Sequence, residues 1–130
     1  MDRKIAHIAI VVRDYDEAIE FYTQKLGFIL LEDAVLSETK RWVLVATDSD
    51  TLGCALLLAK AVNETQESRI GNQTGGRVFL FLDTDDFYRD YNNFMAKGIK
   101  FVRTPTKEEY GTVAVFEDLY GNLWDLIERH

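Results

Sequence analysis

Histidine and cysteine, the side chains that most often bind transition metals or act in nucleophilic catalysis, are scarce in this sequence. The histidines are His7 and His130, and Cys54 is the only cysteine, so an internal disulfide is excluded. His7 stands in an apolar run, where a single histidine is more often a hydrogen-bonded core residue than a metal ligand. Cys54 opens another apolar run, which indicates an unreactive thiol. The glycine-rich segment 71–76 lacks the lysine of a phosphate-binding loop.

The composition favours a globular protein with an acidic surface. Hydrophobic residues make up 47% of the 130 residues, which is enough for one sizeable core. The net charge of −7 does not favour nucleic acid, whose phosphates need clustered lysine and arginine. No apolar run is as long as a transmembrane helix, and the N-terminus does not resemble a signal peptide. We therefore expect one cytoplasmic domain, without nucleic-acid or membrane partners.

The first element that could position these residues is a strand predicted at 5–12, which is apolar and rich in β-branched side chains. Asp14 and Asp16 then offer helix caps, and an apolar helical stripe continues as far as Gly27, a plausible stop. Further strands are predicted at 28–32, 42–47 and 54–59, the last two joined by a turn-rich segment, 48–51. The first half therefore has the order β-α-β-β-β.

The same order of elements recurs after a polar linker at 61–76. The second half is predicted to contain a strand at 78–82, a helical stripe from Phe87 to Met95, and strands at 99–102, 112–116 and 123–127. Residues 7–14 align with 79–86 at an offset of 72, and the stops Gly27 and Gly98 align at an offset of 71. The agreement of caps, helix length and stops argues against coincidence. We predict an α+β fold of two tandem βαβββ modules, residues 1–60 and 77–130.

Two segments resemble a known superfamily. Segment 7–28 contains Phe21-Tyr22 followed by Leu26-Gly27-Phe28, and segment 116–128 has an acidic turn, Gly-Asn and a strand ending in glutamate. These resemble the opening and closing motifs of the glyoxalase, bleomycin-resistance and extradiol-dioxygenase (vicinal oxygen chelate) superfamily. The resemblance implies that the two modules form a curled mixed sheet around a cavity. It also implies a homodimer, since many members dimerise.

The resemblance also implies part of a metal site in this chain. Metal-using members hold the ion with four cavity-facing strand positions, of which two fall on His7 and Glu128. An imidazole and a carboxylate would suit Zn, Ni, Mn or Fe. The other two positions fall on Phe79 and within 54–59, a segment that contains no carboxylate, amide or imidazole. The site is therefore expected to be incomplete, and Glu128 is also the candidate catalytic carboxylate, because it could orient His7 as a base.

Strand alternation suggests what else would line the cavity. The candidate ligand-binding residues are mainly aromatic: Phe79, Phe81, Trp124, Leu126, Trp42 and Tyr110. A pocket of this kind would suit a small organic molecule, although core packing is the commoner use of such side chains. Arg41, Arg77 and Arg103 could meet an anionic ligand, but exposure on the surface is the more frequent role of arginine.

Two functions from different classes remain open. The first is a protein that binds a small aromatic or amphipathic molecule without metal, and the incomplete ligand set favours it slightly. The second is a metal-dependent lyase, isomerase or dioxygenase that uses His7 and Glu128. A pure dimerisation role would instead predict a cavity filled by side chains. The cavity could form within one chain or between two chains.

Overall fold

The computed structural model describes residues 1–48 and 53–130 of the chain. The chain divides into two compact units, Met1–Ile70 and Gly71–His130, each with one four-stranded mixed sheet and few helices. The predicted α+β fold of two tandem βαβββ modules is therefore confirmed. No helix in the described ranges is long and apolar enough to cross a membrane.

The first unit begins with strand β1 (His7–Val12), helix α1 (Tyr15–Glu20) and a π-helical turn at Phe21–Lys25. Three strands follow, β2 (Ile29–Val35), β3 (Arg41–Ala46) and β4 (Ala55–Lys60). Their spatial order is β1-β4-β3-β2, with β1 parallel to β4 and the other neighbours antiparallel. The turn expected at 48–51 lies, apart from Asp48, outside the described residues.

Local sequence explains how α1 comes to cover one face of this sheet. Asp14 caps the helix by accepting a hydrogen bond from the Glu17 N–H at 2.9 Å, as its position predicted. Gly27 ends the helical stretch with a φ of +75°, a conformation that glycine adopts without strain. Ile10 of β1 is fully buried, whereas His7, at an alternate position on the same strand, is exposed. The exposed positions of β1 therefore belong to the face that α1 does not cover.

The segment predicted as a linker contains a short helix, α2 (Glu64–Glu67). Asn63 caps it by accepting a hydrogen bond from the Gln66 N–H at 2.9 Å. Asn63 is therefore a local helix signal, which was missed because the polar composition of the segment suggested a linker.

The second unit contains β5 (Val78–Asp83), α3 (Phe87–Ala96), β6 (Phe101–Lys107), β7 (Gly111–Glu117) and β8 (Leu123–Arg129). Its strand order is β5-β8-β7-β6, with β5 parallel to β8. Helix α3 packs on one face, where the ring of Phe94 lies 5.4 Å from that of Phe116. Phe116 in turn stacks on Trp124 with ring centroids 5.8 Å apart. We call the opposite side of this sheet, which carries Phe81, the open face of the second unit.

Candidate functional site

A row of laterally paired residues that includes Phe81 crosses all four strands on the open face of the second unit. Phe81 of β5 pairs with Asp125 of β8, Asp125 pairs with Val115 of β7, and Val115 pairs with Arg103 of β6. Laterally paired residues project from the same face of a sheet. The register therefore places an aromatic ring, a carboxylate, an apolar side chain and a guanidinium next to one another.

A pocket of about 440 Å³ lies on this open face. We call it the Phe81 pocket; its lining includes Arg77, Phe81, Val102, Arg103, Val115 and Leu123. Phe81 is 62% exposed although it stands in the middle of a strand, and Val115 beneath the pocket is buried. The pocket thus combines an exposed aromatic wall, an apolar floor and two guanidinium groups.

Asp125 is the carboxylate of this row, and sequence reasoning did not single it out. Burial raises the pKa of the Asp125 carboxyl above its ordinary value, while the nearby charges of Arg103 and Arg129 oppose the rise. The available signal was a carboxylate between Trp124 and Leu126 inside an otherwise apolar strand. A half-buried acid of this kind is commonly found where a protein binds a ligand or performs chemistry.

Trp124 and Leu126 lie on the other side of the sheet and belong to the core. Trp124 pairs laterally with Leu80 and Phe116, and both Trp124 and Leu126 are buried. The expectation that they share a face with Phe81 is therefore wrong. Alternation fixes the faces within one strand, but only the register, which shifts between Val78 and Leu80, fixes which faces of neighbouring strands match.

Glu128 also lies on the helix-covered side, where its carboxylate already has a partner. Its Oε1 accepts a hydrogen bond from the Phe87 N–H at 2.7 Å, at the first residue of α3. Asp86, the N-cap of the same helix, accepts a hydrogen bond from the Arg89 N–H at 3.2 Å. Two carboxylates therefore satisfy free N–H groups at this helix end and complement its dipole. A catalytic role of Glu128 stays a prediction.

His7 lies on the exposed face of the first unit's sheet, beside Trp42. The two rings meet edge to face with centroids 5.9 Å apart and an interplanar angle of 74°. Trp42 packs against a small apolar cluster, Leu44, Ala46 and Ala55. His7 is exposed, so it is not the buried core histidine that an apolar strand commonly holds. Its role as a metal ligand stays a prediction.

The remaining candidate residues occupy separate places. Phe79 lines a smaller pocket of about 110 Å³ beside the segment 71–76, not the Phe81 pocket. Tyr110 is 51% exposed in the β6–β7 hairpin. Cys54 precedes β4 and is exposed, although the sequence indicated a position within the apolar strand. The Arg41 guanidinium forms ion pairs with the carboxylates of Asp33 and Asp16, with N–O distances of 2.7 and 2.9 Å.

The donor set in the described parts of the chain does not fit the metal site that the resemblance implied. Within residues 1–48 and 53–130, no three side chains among His, Cys, Asp and Glu are grouped so that they could hold an ion. The carboxylate of Glu128 already accepts a backbone hydrogen bond.

Comparison with known proteins identifies the family of this chain. An uncharacterized protein of Shewanella frigidimarina (strain NCIMB 400) is 60% identical over 129 residues, covering 98% of this chain and 95% of that protein. The crystal structure of UcmS2 is 31% identical, with a TM-score of 0.84 and 98% of each chain covered. TnmS3, an antibiotic binding protein from Streptomyces sp. CB03234, has the same fold, with 24% identity, a TM-score of 0.78, and 99% of this chain and 98% of TnmS3 covered. Residues 4–126 match the Glyoxalase/Bleomycin resistance protein/Dioxygenase superfamily, and the chain belongs to it.

Proposed function

We propose that this protein binds a small organic molecule in the Phe81 pocket without a protein-held metal. The observation that carries the proposal is the 62% exposure of Phe81 at the wall of a pocket of about 440 Å³. Ligand pockets have volumes of roughly 300–1,000 Å³. Because Phe81 is 62% exposed, covering it completely with a ligand would contribute about 1–2 kcal/mol, that fraction of the value for a whole side chain.

Two arginines that line the pocket, Arg77 and Arg103, would orient the ligand, together with the neighbouring carboxylate of Asp125. Asp125 and Arg103 stand in the same row as Phe81, on either side of the apolar Val115. A few polar groups around an apolar surface are the usual arrangement in a specific small-molecule site. TnmS3, described as an antibiotic binding protein, has this fold, so ligand binding is compatible with it.

Thermal denaturation in the presence of a panel of small aromatic compounds tests the proposal. We expect one or more compounds to raise the Tm of the wild-type protein, since a ligand that binds only the folded state stabilises it. Phe81→Ala should lose most of that shift. Tyr88→Ala is the matched control, because Tyr88 is a similarly exposed aromatic residue, on α3 of the same unit. An equal shift in Phe81→Ala and wild type would contradict the proposal.

We also propose that the protein acts as a cytoplasmic homodimer. Dimers are frequent in this superfamily, and the exposed thiol of Cys54 is compatible with a reducing compartment. A dimer would have twice the 15.0 kDa mass of the chain in solution. The alternative, a metal-dependent enzyme, is less well supported, because residues 1–48 and 53–130 contain no group of three side chains that could hold a metal ion.

A further inference from the structure

The arginines of the second unit fall into two groups. Arg89 bonds to Asp85 at 2.9 Å and to Asp90 at 3.1 Å, and Arg129 bonds to Asp83 at 3.3 Å. Within residues 1–48 and 53–130, by contrast, the side chains of Arg77 and Arg103 have no hydrogen-bond or ion-pair partner. Both of these arginines line the Phe81 pocket.

The position of these two arginines is notable because the chain is acidic. Asp and Glu number 22 against 15 Lys and Arg, so carboxylates are abundant enough to pair with most cations. The carboxylate closest in register is Asp125, which influences Arg103 only through its charge. The pocket therefore has an excess of positive charge on a protein whose net charge is −7. A guanidinium presents a planar fork of donors that matches a carboxylate.

We propose that the Phe81 pocket recognises an aromatic carboxylate, and this inference rests on the proposed function. The ring of the ligand lies against Phe81 and the apolar floor at Val115, and its carboxylate is held by Arg77 and Arg103. Asp125 does not line the pocket but pairs laterally with Phe81, so its negative charge disfavours an anionic group at the Phe81 end of the row. The inference names the ligand class that the exposed ring alone leaves open.

Titration calorimetry with 2-naphthoate and its neutral analogue 2-naphthalenemethanol tests this inference. We expect 2-naphthoate to bind the wild-type protein more tightly than the alcohol, and to bind more weakly as salt is added. Arg77→Gln and Arg103→Gln should each weaken 2-naphthoate binding by about five- to tenfold. Neither substitution should change binding of the alcohol. Arg89→Gln is the matched control, since it removes the same charge from the same unit outside the pocket.

The outcomes separate the inference from the proposed function. Equal binding of both probes, weakened by Phe81→Ala and unchanged by either pocket arginine, would overturn the carboxylate class and leave the proposed function standing. Binding of both probes that is indifferent to Phe81→Ala would overturn both, as would failure of both probes to bind at millimolar concentration. Equal weakening in Arg89→Gln and Arg103→Gln would show a general charge effect and would also overturn the inference.

Discussion

At the scale of single residues, Asp125 makes the sharpest prediction. Because burial raises its pKa, the folded protein binds this proton more tightly than the unfolded chain. Between the ordinary value of 3.8 and the raised folded value, the native state holds more protons, so this group's contribution to stability falls as pH rises. This group therefore contributes less to the free energy of unfolding at neutral pH than it does in acid.

Asp125→Asn should remove this pH-dependent cost. We expect the free energy of unfolding of the variant to rise relative to wild type as pH increases from about 4 to 8, measured by urea denaturation. Asp2→Asn, at an exposed N-terminal carboxylate, is the control and should show no such trend. A difference between Asp125→Asn and wild type that is constant with pH would contradict the prediction.

The sequence predicted which residues share a face within one strand, but it did not predict which residues of neighbouring strands lie side by side. It placed Trp124 and Leu126 on one face of a strand, and both are in fact buried together. It could not tell that Phe81 stands opposite Asp125 instead of Trp124, because lateral register depends on a shift near Val78. The aromatic candidates were therefore divided between a core and a pocket that the sequence alone could not separate.

At the scale of elements, the start of the second unit is fixed to a turn near its end. Gly71 has a φ of +74°, and a Cβ at this position would overlap the carbonyl oxygen of Tyr120. That turn is itself rigid, since Asp118 accepts hydrogen bonds from the Tyr120 and Asn122 N–H groups, each at 2.9 Å. The segment that leads to Arg77 is thus held in place by backbone contact with this turn.

Gly71→Ala should lower the free energy of unfolding by more than about 2 kcal/mol, since it adds a steric overlap to an unfavourable φ. Gly75→Ala is the matched control, because Gly75 has a φ of +70° but nothing within 4 Å of its Cβ position. It should cost only about 1 kcal/mol from backbone strain. Urea denaturation of both variants gives the comparison, and equal losses would show that the Tyr120 contact contributes nothing.

The order of the elements was predictable because it depends on short-range signals. Caps such as Asp14 and stops such as Gly27 are visible in the sequence, and they bound the helices as expected. The contact of Gly71 with Tyr120 joins positions far apart in the chain. No local pattern indicates such a contact, so the reason for a glycine at this position emerged only from the structure.

At the scale of the whole molecule, the two units share a plan but differ in chemistry. The row in the first unit that corresponds to the Phe81 row contains Ala9, Leu57, Leu44 and Glu32. Leu57 thus stands where the second unit has Asp125, and Ala9 stands where it has Phe81. The repeat therefore predicted the fold, whereas function must be sought where the two copies differ.

The metal content of the protein is a second property to be measured on the whole chain. We expect protein purified without chelator or affinity metal to hold far less than one metal ion per chain by elemental analysis. The physical reason is that Glu128 accepts a hydrogen bond at the start of α3, and that grouped ligands are absent from residues 1–48 and 53–130. His7→Ala should leave both metal content and stability nearly unchanged, since His7 is exposed.

Glu128→Ala should instead act through α3. Loss of the acceptor for the Phe87 N–H should lower the free energy of unfolding by about 1 kcal/mol, while Glu128→Gln, which keeps a carbonyl oxygen in reach, should lose less. Metal analysis of the same variants separates this capping role from ligation. Near-stoichiometric metal in the wild type, lost in both His7→Ala and Glu128→Gln, would show that both residues hold a metal and would refute metal-free binding.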